Sequence, residues 1–204
     1  MGIDARRNAP QIQAAIKEAE WKLVPKDWKS AKFFGNIVIP LDGPRLPEYK
    51  GTPVERTLTH LDKLALPSDY HFVDLGSGLG GPCFAAAAHF DRVTGIENND
   101  ALFSETVKIR DRFGISNVVF RKEDFMGIPL TPFNIVFFFK PYCDNFFEEM
   151  RVKMLETAPG TYIISRQFKA NEIFDPAYFK PNESLAEEDE RNYPQFPFYT
   201  YVRI

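Results

Sequence analysis

Between His71 and Pro82 the chain reads His-Phe-Val-Asp-Leu-Gly-Ser-Gly-Leu-Gly-Gly-Pro, a short apolar run that closes on a carboxylate and a cluster of glycines. These residue types suit the grip of a nucleoside-bearing cofactor. Gly76 and Gly78 let the backbone turn sharply and approach a ligand with no Cβ in the way, and Gly80 and Gly81 let the following helix pack close to the strand. Pro82 falls where a first helical residue needs no N–H donor. The spacing of Gly76, Gly78 and Gly81 also fits the dinucleotide fingerprint, so the glycines alone leave two cofactor classes open. Asp74 separates them. A carboxylate two residues ahead of the first glycine would repel the pyrophosphate of a dinucleotide. S-adenosylmethionine has no phosphate and offers a sulfonium and an ammonium that an acid attracts.

Two further acids stand where the carboxyl ends of strands are expected, which is where an open α/β sheet holds its ligand. Glu97 follows Val93-Thr94-Gly95-Ile96 and can accept hydrogen bonds from both hydroxyls of a ribose. Asp124 follows Val118–Phe120 and can accept from the exocyclic amine of adenine, with Phe125 beside it as an apolar face. Asp74, Glu97 and Asp124 thus close three successive expected strands in the order that serves amine, ribose and adenine. A fourth strand runs into Phe139-Lys140-Pro141-Tyr142. If an amine is the acceptor there, it must lose a proton against an ordinary pKa near 10.4 for lysine. Phe138, Phe139 and Tyr142 would disfavour its charged form, and an inward Lys140 would add like-charge repulsion. His60, His71 and His89 have no partner at metal-ligand spacing, and neither have Cys83 and Cys143, so no metal site is expected.

The elements that must position these residues alternate. Pro10–Leu23 is an amphipathic helix with Ile12, Ile16, Ala19 and Leu23 on one side. The Pro25–Lys50 stretch, rich in proline and glycine, reads as irregular chain that either covers the cofactor or packs as an arm. Thr52-Pro53-Val54-Glu55 has the form of a capping box, with Leu58, Leu61 and Leu64 continuing at helical spacing. The helix start and the Thr52 hydroxyl are candidates to hold a carboxylate. After the glycine loop come a helix over Pro82–Phe90, a strand over Arg92–Ile96, a helix over Asp100–Phe113 entered through Asn98 and Asn99, and a strand over Val118–Phe120. A strand over Asn134–Phe139, a helix over Phe146–Leu155 and a strand over Thr161–Ser165 follow. Such alternation implies a parallel sheet covered on both faces. Asn182–Arg191 is acidic and reads as a solvated face, and Phe196–Ile204 as a last, antiparallel strand at the far side of the sheet.

At 204 residues the length suits one domain over 1–204, with residues 1–51 as helix and lid, 52–168 as cofactor core and 169–204 as closing strands. A formal charge of −3 does not suit a protein held on nucleic acid by neutralising phosphates, and suits a partner with a basic segment better. No apolar run approaches the roughly 20 residues that span a bilayer, and two cysteines without a secretory signal point to the cytoplasm.

From Thr52 to Phe168 the chain resembles the class I S-adenosylmethionine-dependent methyltransferases. The Asp74-Leu75-Gly76-Ser77-Gly78 run, Gly95-Ile96-Glu97 and the Thr52-Pro53 helix start look most like the non-SET protein-lysine methyltransferases of seven-strand type. The resemblance implies a Rossmann-like three-layer α/β sandwich, with a mostly parallel seven-stranded sheet in the order 3-2-1-4-5-7-6 and helices on both faces. It implies S-adenosyl-L-methionine contacts at Asp74, Gly76, Gly78, Glu97 and Asp124, and Thr52, Ser77, Asn98 and Phe125 are candidates beside them. It places the transfer at Lys140, Pro141 and Tyr142. There the chain departs from the Asn or Asp followed by Pro-Pro-Tyr of amino-methyltransferases that act on nucleic acids and on glutamine, since Phe139 and Lys140 replace the polar acceptor and the first proline. The function expected is N-methylation of a protein lysine. Methylation of a small molecule or nucleic acid is the alternative, as is a binding module that keeps the fold without the catalysis.

Overall fold

The computed structural model describes residues 5–23, 51–139, 146–166, 174–194 and 197–204. Helix α1 (Ala9–Leu23) and α2 (Val54–Leu64) precede β1 (His71–Leu75), α3 (Gly81–Ala86), β2 (Arg92–Ile96), α4 (Asp100–Arg112) and β3 (Val118–Arg121). A 3-10 turn (Phe125–Gly127) leads to β4 (Ile135–Phe138), α5 (Phe146–Met154), β5 (Tyr162–Arg166), β6 (Phe179–Pro181), α6 (Glu183–Asn192) and β7 (Phe198–Arg203). The seven strands form one sheet in the order β3-β2-β1-β4-β5-β7-β6. The first five pair in parallel, and β7 runs antiparallel to both β5 and β6.

Strands β1, β2, β4 and β5 are buried at almost every position because both of their faces are covered, while edge strand β3 alternates buried and exposed. Successive side chains point to opposite faces, so Phe72 on β1 and Ile135 and Phe137 on β4 join α1, α2, α3 and α4 in one core. Val73, Leu75, Val136 and Phe138 join Met150 and Met154 of α5 in the other. By the same alternation Asp74 shares a face with Phe72 and looks toward α3. It pairs in register with Gly95 and Phe137. Asp74 therefore stands inside β1, one residue short of the strand end where the sequence reading puts it.

Four more expectations change. Thr52 does not cap α2: the helix begins at Val54, Pro53 holds the cap position with no side-chain bond, and the Val54 N–H donates to Gln13 Oε1 of α1 at 2.8 Å. Helix α3 stops at Ala86, well before Phe90, and turns over Ala87–His89 carry the chain into β2. The acidic run is helix α6, and it is more than a solvated face. Its Asp189 is buried, takes the Arg56 guanidinium at 2.7 Å, and accepts the Phe198 N–H at 2.5 Å. The last strand is antiparallel as expected, but it lies one place in from the edge, because Phe179–Pro181 adds an outer strand the sequence pattern does not announce. No helix among the described residues is long and apolar enough to cross a membrane.

Candidate cofactor site

The glycine loop leaves β1 at Leu75 and crosses to the carboxyl end of β2, where the Gly76 and Ser77 N–H groups donate to the Ile96 carbonyl at 2.9 and 2.8 Å. Gly76, Gly78 and Gly80 all adopt positive φ, of 80, 54 and 80°, a backbone other residues seldom take. Gly81 answers a different demand. A Cβ there would run into the Thr52 carbonyl, so α3 can seat against the start of α2 only if this position is bare.

Glu97 is the first residue past β2 and is buried. Its Oε2 accepts the Gly78 N–H at 2.8 Å and its Oε1 accepts the Asn99 N–H at 2.8 Å, which fixes the carboxylate between the two loops. Burial raises its pKa, opposed by the backbone amides of Asn99, Gly78 and Asn98. Asn98 is exposed at this rim, and Asn99 caps α4 by accepting from Ala101 and Leu102.

Asp74 is 2% exposed. The Cys83 thiol of α3 donates to its Oδ2 at 3.7 Å. Burial pushes the Asp74 carboxyl well above the usual carboxylate range; the Cys83 contact opposes this and the charge of Glu97 adds to it. Burial and Asp74 together also drive the Cys83 thiol up, so this cysteine is a packed donor and no nucleophile. Ser77 is buried as well, and among the described residues its hydroxyl has no hydrogen-bond partner.

Asp124 is exposed and caps the 3-10 turn, its Oδ1 accepting the Met126 N–H at 3.0 Å. Phe125 is half-buried, and its ring comes within 4.0 Å of the place a Cβ on Gly76 would take, so the β1 and β3 loops converge. The structure thus brings Gly76, Ser77, Gly78, Glu97 and Phe125 to one rim, with Asp74 behind it. Thr52 is buried beside Gly81, but its hydroxyl is taken by Arg166 Nη1 at 2.9 Å. Lys140, Pro141, Tyr142, Cys143 and the Pro25–Lys50 stretch lie outside the described residues.

Two supports are absent from the sequence reading. Arg166, at the end of β5, donates through Nη1 to the Gly51 carbonyl at 2.9 Å as well as to Thr52, and its guanidinium lies 4.4 Å over the Phe139 ring. Lys153 of α5 reaches the carbonyls of Met126 and Ile128. Neither has a local signal, because each partner is far away in sequence.

The residues fit S-adenosylmethionine on their own chemistry. A buried carboxylate at the end of β2 keeps lone pairs for a ribose diol, the Ser77 hydroxyl has no partner among the described residues, and bare glycine backbone lies near the edge of an aromatic ring.

Sheet order, helices on both faces and a glycine loop at the β1 end define a Rossmann-like, class I methyltransferase architecture. A family described as a methyltransferase domain matches residues 66–196. The chain belongs to that family, and is an S-adenosylmethionine-dependent methyltransferase. No curated protein matches it. Among solved structures it is similar to an RNA methyltransferase from Salinibacter ruber in complex with S-adenosyl-L-homocysteine, at 21% identity and a TM-score of 0.55, over 75% of this chain and 92% of that one. It is similar to YhhF of Escherichia coli, described as a methyltransferase, at 20% identity and a TM-score of 0.60, over 81% and 98%. A Streptococcus mutans protein, also described as a methyltransferase and bound to S-adenosylhomocysteine, aligns at 11% identity and a TM-score of 0.55, over 75% and 98%.

Proposed function

We propose that the chain, as one domain, methylates an amine, and that the amine is a lysine of a protein with a basic segment. The observation that carries this reading is the aromatic end of β4: Phe139 lies under the Arg166 guanidinium on the face that also holds Thr52 and Gly81. Lys140, Pro141 and Tyr142 follow directly in sequence. Bound S-adenosylmethionine supplies an activated methyl group on a sulfonium. The residues of the chain do the rest. Gly76, Ser77, Gly78, Glu97 and Asn98 seat the ribose side, Asp124 and Phe125 the adenine, and Asp74 and Thr52 the amino-acid end. Phe139 and Tyr142 exclude water from the acceptor, while Phe138, expected beside them, is packed on the opposite face with Met150 and Met154; Lys140 disfavours the protonated amine, so water can carry the proton away. Alignment of nitrogen, methyl and sulfur supplies the remainder. The net charge of −3 supports a basic protein partner in the cytoplasm over a polyanion.

A second reading, methylation of RNA, is favoured by the Salinibacter ruber neighbour, an RNA methyltransferase. Incubation with methyl-labelled S-adenosylmethionine and fractionated cell extract separates the two. Label in protein, recovered as methyl-lysine after hydrolysis, supports the first. Label in RNA or small molecules overturns it, and label nowhere points to a binding module. Tyr142→Ala should spare affinity for S-adenosylhomocysteine while depressing transfer. Melting is measured alongside, since truncating a packed aromatic can itself cost about 3 to 5 kcal/mol. Parental transfer by a folded Tyr142→Ala would move the acceptor channel to the Pro25–Lys50 stretch.

A further inference from the structure

The loop that carries Asp124 and Phe125 has little regular structure of its own: one 3-10 turn of three residues joins β3 to the irregular run before β4. Its inner side is held by Lys153. The side chain is 4% exposed, and the three donors of its ammonium go to the Met126 carbonyl at 3.1 Å, the Ile128 carbonyl at 2.6 Å and Glu156 Oε2 at 2.7 Å. A lysine has three such donors, so the set is complete. Burying a cation costs several kcal/mol before any bond is made, and an apolar side chain would fill the same space more cheaply. What an apolar side chain cannot do is fix two carbonyls on either side of Gly127. Those carbonyls lie one and three residues past Phe125, whose ring edge comes within 4.0 Å of the place a Cβ on Gly76 would take.

We propose that Lys153 is a positioning residue for the cofactor: by clamping Met126 and Ile128 from α5, it sets where Phe125 and Asp124 stand over the glycine loop, and so sets affinity for the adenosine half. Lys153 touches no cofactor atom and acts through the loop. The proposal rests on the reading that Phe125 and Asp124 meet the adenine.

The test is a double-mutant cycle read by calorimetric titration with S-adenosylhomocysteine, with thermal melting as the control for folding. Lys153→Met should weaken binding by roughly tenfold, the scale of a residue that acts through a packed network. In steady-state assays with S-adenosylmethionine it should raise KM with kcat close to the parent value. Phe125→Ala should weaken binding as well. Because Lys153 acts through Phe125, the double variant should bind little worse than Phe125→Ala alone. If Lys153→Met does not fold, Lys153→Gln, which keeps one donor to a carbonyl, takes its place in the cycle. Parental affinity in a variant with a lowered melting temperature would overturn the proposal by making Lys153 purely structural. Strictly additive losses would overturn it too. Parental affinity in Phe125→Ala would instead remove the adenine reading on which it stands.

Discussion

Each oxygen of the Glu97 carboxylate already accepts a backbone amide, one from Gly78 and one from Asn99. The side chain is therefore held in place before any ligand arrives, and on the proposed reading it meets the ribose with no rotamer freedom left to lose. Glu97→Gln keeps the shape but turns an NH2 toward one of those amides, and it removes the charge from both hydrogen bonds to a diol. Affinity for S-adenosylhomocysteine should fall by about 1.5 to 3 kcal/mol, roughly 10- to 150-fold, the value of charged hydrogen bonds. Calorimetric titration reads this directly. Glu123→Gln, an exposed acid paired with Arg121 two residues away, should leave affinity unchanged. Unchanged affinity in Glu97→Gln would put the ribose elsewhere. At this scale the sequence is informative wherever function depends on local spacing: glycines before a helix and an acid after a β-rich run need no distant partner to be seen. Asp74 shows the limit. Its residue type and position are legible, but its burial against Cys83 and the raised pKa that follows come from α3 packing on β1.

The elements recognised from sequence are those with a strong period or a terminal signal, as in α1, β2 and α4, whose observed bounds differ from expectation by at most one residue. The pieces that escape are held by tertiary partners. Strand β6 is three residues long and exists because β7 pairs with it, and α6 looks like a run of surface acids because a single member, Asp189, is buried against Arg56 133 positions earlier. Beside that ion pair, His60 of α2 meets Thr200 Oγ1 of β7 at 2.8 Å and packs edge-on against Phe198. Burial holds its pKa down to about 4 against 6.5; Asp189 and Glu188 raise it, while Lys63 and Arg56 lower it further. Between those values the unfolded chain binds more protons than the folded one, so stability is lost as pH falls from about 6.5 toward 4. The loss is on the order of 2 to 3 kcal/mol. His60→Gln keeps a partner for Thr200 but cannot titrate. Urea melts at a series of pH values should therefore show a shallower acid slope for the variant, and an identical slope would assign the acid sensitivity to other groups.

For the molecule as a whole, β1 is the pivot: β2 and β3 lie to one side of it and β4, β5, β7 and β6 to the other, so the crevice beyond its carboxyl end is the place where an open α/β sheet takes its ligand. Strand alternation alone predicts a parallel sheet but not this order, which follows from resemblance to a family; pairing of non-consecutive strands leaves no mark on local spacing. On the proposed reading Asp74 also selects the cofactor, by a route subtler than charge repulsion. Asp74 is buried behind the glycine loop and held toward its neutral form. A cation brought beside it would draw its pKa back down and gain a charge-assisted partner, whereas a diphosphate would push it further up and gain nothing. S-adenosylhomocysteine, which keeps the ammonium, should thus stabilise the whole fold and NAD should not. At a hundred times its dissociation constant a ligand adds about 2.7 kcal/mol. For a chain of this size that corresponds to a rise of roughly 5 to 11 °C in melting temperature. Thermal melting with each compound is a direct comparison. A comparable rise with NAD, and none with S-adenosylhomocysteine, would mean that Asp74 does not face the amino-acid end of the cofactor and that the glycine loop cradles a phosphate.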